Sequence, residues 1–119
     1  VTKRITIIET PPFIREAERL FSVEQRESLI DHLSFAPSSG VLIRGTGGMR
    51  KLRWQSGAKG KRGGARVIYY FFNNDHPIFL LAAYGKNEKD NLSPAQRNAL
   101  KSVSERIVQD YAAPRKRKK

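Results

Sequence analysis

The sequence contains no cysteine, a single methionine and a single tryptophan. The first absence excludes a disulfide framework and a thiolate metal site, and fits a reducing compartment. Long hydrophobic runs are missing too. The longest, "IFLLAAY" at 78–84, has the length of a strand and falls far short of a membrane span. The opening "VTKRITIIET" has only a brief apolar run, interrupted by Thr6 and followed by Glu9, too short for a signal peptide. A soluble cytoplasmic protein is the expectation. Acidic residues are scarce: 11 Asp and Glu stand against 23 Lys and Arg, for a net charge of +12. The 119 residues suffice for one modest hydrophobic core, and the hydrophobic content of 39% argues against wholesale disorder. One domain over 1–113 is expected, followed by a basic tail, "PRKRKK", at 114–119.

The shortage of acid is local. Residues 1–40 hold five basic and six acidic groups, residues 41–92 ten and three, and residues 93–119 eight and two. The stretch "RGTGGMRKLRWQSGAKGKRGGAR" at 44–66 has eight Lys or Arg, seven Gly and no acid at all. Only the chain after Gly40 is suited to a polyanion, either nucleic acid or an acidic protein. An anionic membrane fits less well, because no basic amphipathic helix dominates.

Element signals are clear. "RITIIE" at 4–9 reads as a first strand, broken by "TPPF". Phe13, Ala17 and Leu20 predict a helix over roughly 13–21. "SVEQ" at 22–25 is a capping box that opens a second helix with Leu29, Ile30 and Leu33, ending before "APSSG". "MRKLRW" at 49–54, "ARVIYYFF" at 65–72 and "IFLLAAY" at 78–84 read as strands, the last two joined by the turn "NNDHP". These two, apolar on both faces, belong in the sheet interior. "SPAQ" at 93–96 opens a last helix along Leu100, Val103, Ile107 and Tyr111. The expected order is β-α-α-β-β-β-α: an α+β domain with an antiparallel sheet of about four strands.

Alternation along 49–54 puts Leu52 and Trp54 on one face and Lys51 and Arg53 on the other. A hairpin closing between Trp54 and Ala65 sets Arg53 opposite Arg66. One closing between Phe72 and Ile78 sets Arg66 opposite Tyr84, with Lys86 just past the strand end. Lys51, Arg53, Arg66 and Lys86 then gather at one end of the sheet, overhung by loop cations Lys59, Lys61 and Arg62. Like charges facing each other across strands destabilise a sheet, and no carboxylate lies nearby in sequence. An external phosphate chain supplies the missing charge, and glycine-rich loops let backbone N–H groups approach it. The competing reading is a solvated basic face, which is what most charge runs are.

Other signals carry less. "GTGG" and "GAKGKRGG" match neither nucleotide-loop pattern and open no helix. His32 and His76 lack metal-ligand spacing and read as structural, and the acids sit mainly on the early helices, so no metal or cofactor is expected. Trp54, Tyr69 and Tyr70 read as core. Tyr84, at a strand end beside the cations, is the aromatic that stays a candidate.

Residues 45–96, with "GTGG-RK-R", "GKRGGAR-IYY" and "LL--YGKNEK-(L)", resemble the HigB branch of the RelE-like toxins, and the two-helix N-terminus fits as well. The resemblance implies a RelE-like fold and a toxin that cleaves mRNA, typically on the ribosome, inhibiting translation. It also implies a HigA-like antitoxin, with operator DNA reached only through the complex of the two. Carried over by motif, the family's strand cations fall on Lys51 and Arg53, its next-strand arginine on Arg66, and the lysine of "YGK" on Lys86. Some RelE-type members have an arginine after the "GK" and a tyrosine six positions on. Here those positions are Asn87 and Ser93, which leaves the proton-transfer part to Tyr84 or a lysine.

Metal-independent RNA cleavage needs a deprotonated 2′-OH, a stabilised dianionic transition state and a protonated 5′-oxygen. Arginine forks suit the transition state, which points to Arg53 and Arg66. A lysine crowded by other cations releases its proton more easily than an isolated one, which makes Lys51 and Lys86 candidates for proton transfer. Arg50, Lys59, Lys61, Arg62, Tyr84 and Lys89 are the expected RNA-binding residues. A non-catalytic RNA- or ribosome-binding module would use the same face. A DNA-binding regulator is disfavoured, because the early helices are acidic.

Overall fold

The computed structural model describes residues 4–57, 64–86 and 92–112. The tail at 114–119, and Lys59, Lys61, Arg62 and Lys89 among the expected RNA-binding residues, lie outside the described residues. Strand β1 (Ile7–Glu9) leads into helices α1 (Pro11–Leu20) and α2 (Val23–Phe35). Strands β2 (Val41–Leu42), β3 (Met49–Trp54), β4 (Ala65–Tyr70) and β5 (Ile78–Gly85) follow. Helix α3 (Pro94–Ile107) is last, prolonged by a wider π-type turn over Val108–Ala112.

Local chemistry explains the helix starts. Ser22 and Ser93 each accept a hydrogen bond from the backbone N–H of Gln25 and Gln96, whose side chains accept from the serine N–H in return. Pro11 and Pro94 occupy first-turn positions, where a missing N–H costs nothing.

The α+β expectation holds, but the sheet departs from it in two ways. It has five strands in the order β1-β5-β4-β3-β2, and it is mixed: β1 runs parallel to β5. The fifth strand, β2, has two residues, too few to carry a hydrophobic period. It exists because Val41 and Leu42 pair with Lys51 and Arg50 of β3. The direction of β1 is set by the crossover. Helix α1 packs on β5, so the strand feeding α1 docks along the β5 edge, with Ile7 beside Ile78. The other pairings are antiparallel, with β4 and β5 interior as their two-faced apolar pattern requires.

Each face of the sheet has its own core. Phe13, Ala17, Leu29 and Leu33 of the helical hairpin pack on Val67, Tyr69, Ile78 and Leu80, with Leu52 and Trp54 at the margin. On the opposite face Ile107, Leu100 and Val108 pack on Met49, Ile68, Tyr70 and Phe79. Trp54 lies under α2, its indole Nε1 donating to the Gln25 carbonyl at 3.0 Å. Both histidines have structural roles. His32 packs on Trp54 and bonds Ser39 Oγ, and His76 bonds Asn73 and packs on Phe72. Among the described residues no helix is long and apolar enough to cross a membrane.

Candidate nucleic-acid interface

Register decides where the cations go. In the β3–β4 ladder Arg53 is paired with Arg66, and in the β4–β5 ladder Arg66 is paired with Tyr84. The three residues form a row across three strands. Met49 belongs to the core under α3 and Leu52 and Trp54 to the core under α1 and α2. Alternation therefore places Lys51 and Arg53 on the α3 face, with Arg66 and Tyr84 beside them. Lys86 follows Gly85, is exposed, and is tied back by its N–H to the Gly64 carbonyl at 3.2 Å.

This row depends on a bulge. Tyr70 pairs with Phe79 and Tyr69 with Leu80, whereas Ile68 pairs with Ala82, so Leu81 is extra. Leu81 and Ala82 both belong with the α3-side core, and Ala83 with the other. Without the extra residue, Arg66 would face Ala83, and Tyr84 would turn toward the helical hairpin. The expected pairing of Arg66 with Tyr84 thus occurs, but through a hairpin whose turn end is offset by one residue and then corrected.

The arrangement separates the expected site residues. Lys51, Arg53, Arg66 and Lys86 come together with Tyr84 at one end of one face. Tyr84 is only 7% exposed and packs in the core beneath the cations, so it does not offer a stacking surface. Arg50 is elsewhere: it sits on the opposite face, beside Tyr69, and its guanidinium donates to the carbonyls of Ser38 and Gly40 at 3.2 and 2.8 Å. It braces the segment after α2 and does not join the cluster. Ser93 is the N-cap of α3.

The charge environment is one-sided. Ion pairs among the described residues join Arg4 to Asp31, Arg19 to Glu16 and Arg26 to Glu9, all before Gly40. Among the described residues no carboxylate pairs with Lys51, Arg53 or Lys86. Arg53 and Arg66 stand directly opposite each other in the β3–β4 ladder, and like charges so placed repel. A cleft of about 430 Å³ exists on the helical hairpin, but Glu9, Glu18 and Glu27 line it beside Arg26, which suits no polyanion. No cluster of potential metal ligands occurs among the described residues.

Three further cations, Arg97 and Lys101 on α3 and Arg44 in the loop before β3, were not singled out from the sequence. The spacing of Arg97 and Lys101 was a usable signal, since i and i+4 share a helix face. Their meeting with the loop before β3 was not legible.

Residues 41–114 match the family described as the RelE toxin of the RelE/RelB toxin–antitoxin system. The fold is similar to that of a double arginine-to-alanine variant of the E. coli toxin RelE in the free state. The TM-score is 0.55 at 14% identity, over 86% of this chain and 97% of that one. The matched segment contains all five strand-end residues Lys51, Arg53, Arg66, Tyr84 and Lys86, and by that match the chain belongs to the RelE toxin family.

Proposed function

We propose that this toxin is an endoribonuclease of the HigB branch. It would cut mRNA on the ribosome without a metal ion, arrest translation, and be held in check by a HigA-like antitoxin. The observation that carries the reading is the row Arg53–Arg66–Tyr84, flanked by Lys51 and Lys86, on the face of a sheet whose other face is sealed by α1 and α2.

The chemistry follows from the side chains. One of the two lysines, Lys51 or Lys86, acting as the neutral amine, takes the proton of a ribose 2′-OH, and the oxygen attacks the adjacent phosphorus. The bond from phosphorus to the 5′-oxygen breaks as the bond to the 2′-oxygen forms, leaving a 2′,3′-cyclic phosphate. The second lysine protonates the departing 5′-oxygen. Arg53 and Arg66 hold the non-bridging oxygens, whose charge is greatest at the transition state, and their forked donors match that geometry. Tyr84 supports the row from below. Lys59, Lys61, Arg62 and Lys89 would hold the RNA backbone on either side.

Arg66→Ala tests this. Cleavage of mRNA in a translating extract, mapped by primer extension, should fall by about 10²–10³-fold, as when one transition-state donor is removed. Melting should stay cooperative. Undiminished cutting by this variant would remove Arg66 from the chemistry. A module that only binds RNA would leave the message intact even with the wild-type chain, while binding it with strong salt dependence.

A further inference from the structure

The "GTGG" segment builds no nucleotide loop, and the proposed cleavage chemistry does not use it, yet buried hydrogen bonds secure it. Thr46 is fully buried, and its hydroxyl donates to the Ile43 carbonyl at 2.7 Å while accepting from the Met49 N–H at 3.1 Å. Ser104 of α3, 2% exposed, shares its one hydroxyl proton between the Lys101 carbonyl at 2.8 Å and, across 58 residues of sequence, the Thr46 carbonyl at 3.1 Å. Gly47, at φ 74°, lies against that serine, where any Cβ would collide with its hydroxyl. Buried polar groups satisfied this completely fix one geometry. The loop before β3 and helix α3 are thus held as one unit.

The clamp brings two cations of α3 against the loop that carries a third, Arg44. A Cβ on Gly45 would lie 3.6 Å from Arg97 Cδ, and one on Gly47 would lie 3.6 Å from Lys101 Cγ. The stems of Arg97 and Lys101, one helical turn apart, therefore run along the loop, and Arg44 immediately precedes Gly45. Arg44 and Lys101 are exposed and Arg97 half-buried, and among the described residues none of the three pairs with a carboxylate. The cluster also adjoins the proposed cleavage site. Gly47 is four residues from Lys51, so their Cα atoms are at most about 14 Å apart. Both clusters lie on the α3 side of the sheet.

We infer that Arg44, Arg97 and Lys101 form a second phosphate-binding site, which holds the backbone of the RNA strand next to the segment being cut. This deepens the proposed function, on which it rests for the identity of the polyanion. Its continuity with Lys51 and Arg53 favours RNA over an acidic protein. The site acts on binding and not on bond breaking, since it holds the strand beside the segment that is cut.

The test uses the full chain and a fluorescein-labelled, unstructured RNA of about 20 nucleotides. Replacing Arg44, Arg97 and Lys101 with Ala together should weaken binding at least tenfold at moderate salt. It should also reduce the slope of log affinity against log salt by about 2, since each lost phosphate contact on a single strand removes about 0.7. In cleavage assays KM should rise by the same factor while kcat stays within twofold. A charge-conserving variant, Arg44→Lys with Arg97→Lys and Lys101→Arg, should restore wild-type values, which a purely structural role would not predict. Binding of vacant ribosomes in parallel separates ribosomal RNA from message as the source of the phosphate. An unchanged slope and KM would overturn the inference, as would wild-type RNA binding with loss of antitoxin affinity alone. Failure of the cleavage reading looks different: the wild-type chain would leave RNA uncut, while the slope difference between variants persisted.

Discussion

The chain before Gly40 and the chain after it treat charge in opposite ways. In the first, Arg4, Arg19 and Arg26 each have a carboxylate partner, and the Arg26–Glu9 pair ties α2 back to β1 at 2.9 Å. In the second, Lys51, Arg53 and Lys86 have none among the described residues, nor do Arg44, Arg97 and Lys101. The described elements of both regions belong to the same sheet or pack on it. The first region spends its charges on holding the fold together and seals one sheet face. The second leaves several cations without a carboxylate partner among the described residues, and the proposed function is built on that charge pattern.

This contrast can be broken by experiment. If the helical hairpin is scaffold, damage there should be read in melting and not in chemistry. Leu29, a fully buried residue of α2, is the sharpest probe. Leu29→Ala should cost about 2–5 kcal/mol of stability, followed by chemical denaturation, with the cleavage rate per folded molecule unchanged. A rate that fell in parallel at temperatures where the variant is still folded would make the hairpin part of the site.

A smaller effect is expected at the joint between the two regions. Tyr69 donates its hydroxyl proton to the Pro37 carbonyl at 2.7 Å and accepts from the Gly40 N–H at 2.8 Å. Tyr69→Phe leaves that N–H without its acceptor and should cost about 1–3 kcal/mol near neutral pH. Burial, offset in part by the Gly40 hydrogen bond and the nearby Arg50 charge, holds the phenol above its ordinary pKa of 10.0. The folded chain therefore keeps this proton after the unfolded chain has lost it. The stability Tyr69 contributes is fully present below about pH 10 and declines as pH rises through the folded value. Melting temperatures of wild type and Tyr69→Phe should converge above about pH 10. A gap that is constant with pH would contradict the assignment.

The least effect comes from the cation row itself, and its sign is the informative part. Arg53→Gln removes one of two directly opposed guanidinium groups, so it should stabilise the fold by a few tenths to about 1 kcal/mol while reducing cleavage. Loss of stability would mean that Arg53 is balanced within the molecule, and the contrast between the regions would weaken.

Much of this was legible in the sequence because it is local. The capping serines Ser22 and Ser93 act on atoms three residues away, and the alternation of Lys51, Leu52, Arg53 and Trp54 is a property of any pleated strand. The pairing of Arg53 with Arg66 followed from where two adjacent strands end and begin. The expected four antiparallel strands fell short where pairing is not local: β1 reaches β5 across most of the chain, and β2 is too short to announce itself. Arg50, grouped with the RNA-binding cations, is instead a brace, because its alternation places it beside Tyr69 and the carbonyls after α2.

Composition and spacing alone therefore determined the class of fold, the capped starts of α2 and α3, the concentration of basic residues after Gly40 and the pairing of Arg53 with Arg66. Tertiary structure alone decided three other things. The Leu81 bulge turns Tyr84 to the cationic face, the crossover sets β1 parallel to β5, and the Thr46–Ser104 clamp lays Arg97 and Lys101 along the loop before β3. The division has one physical reason. Hydrogen-bond and hydrophobic periods within a segment are encoded by its own neighbours, whereas register between segments is settled only when their side chains compete for the same buried volume.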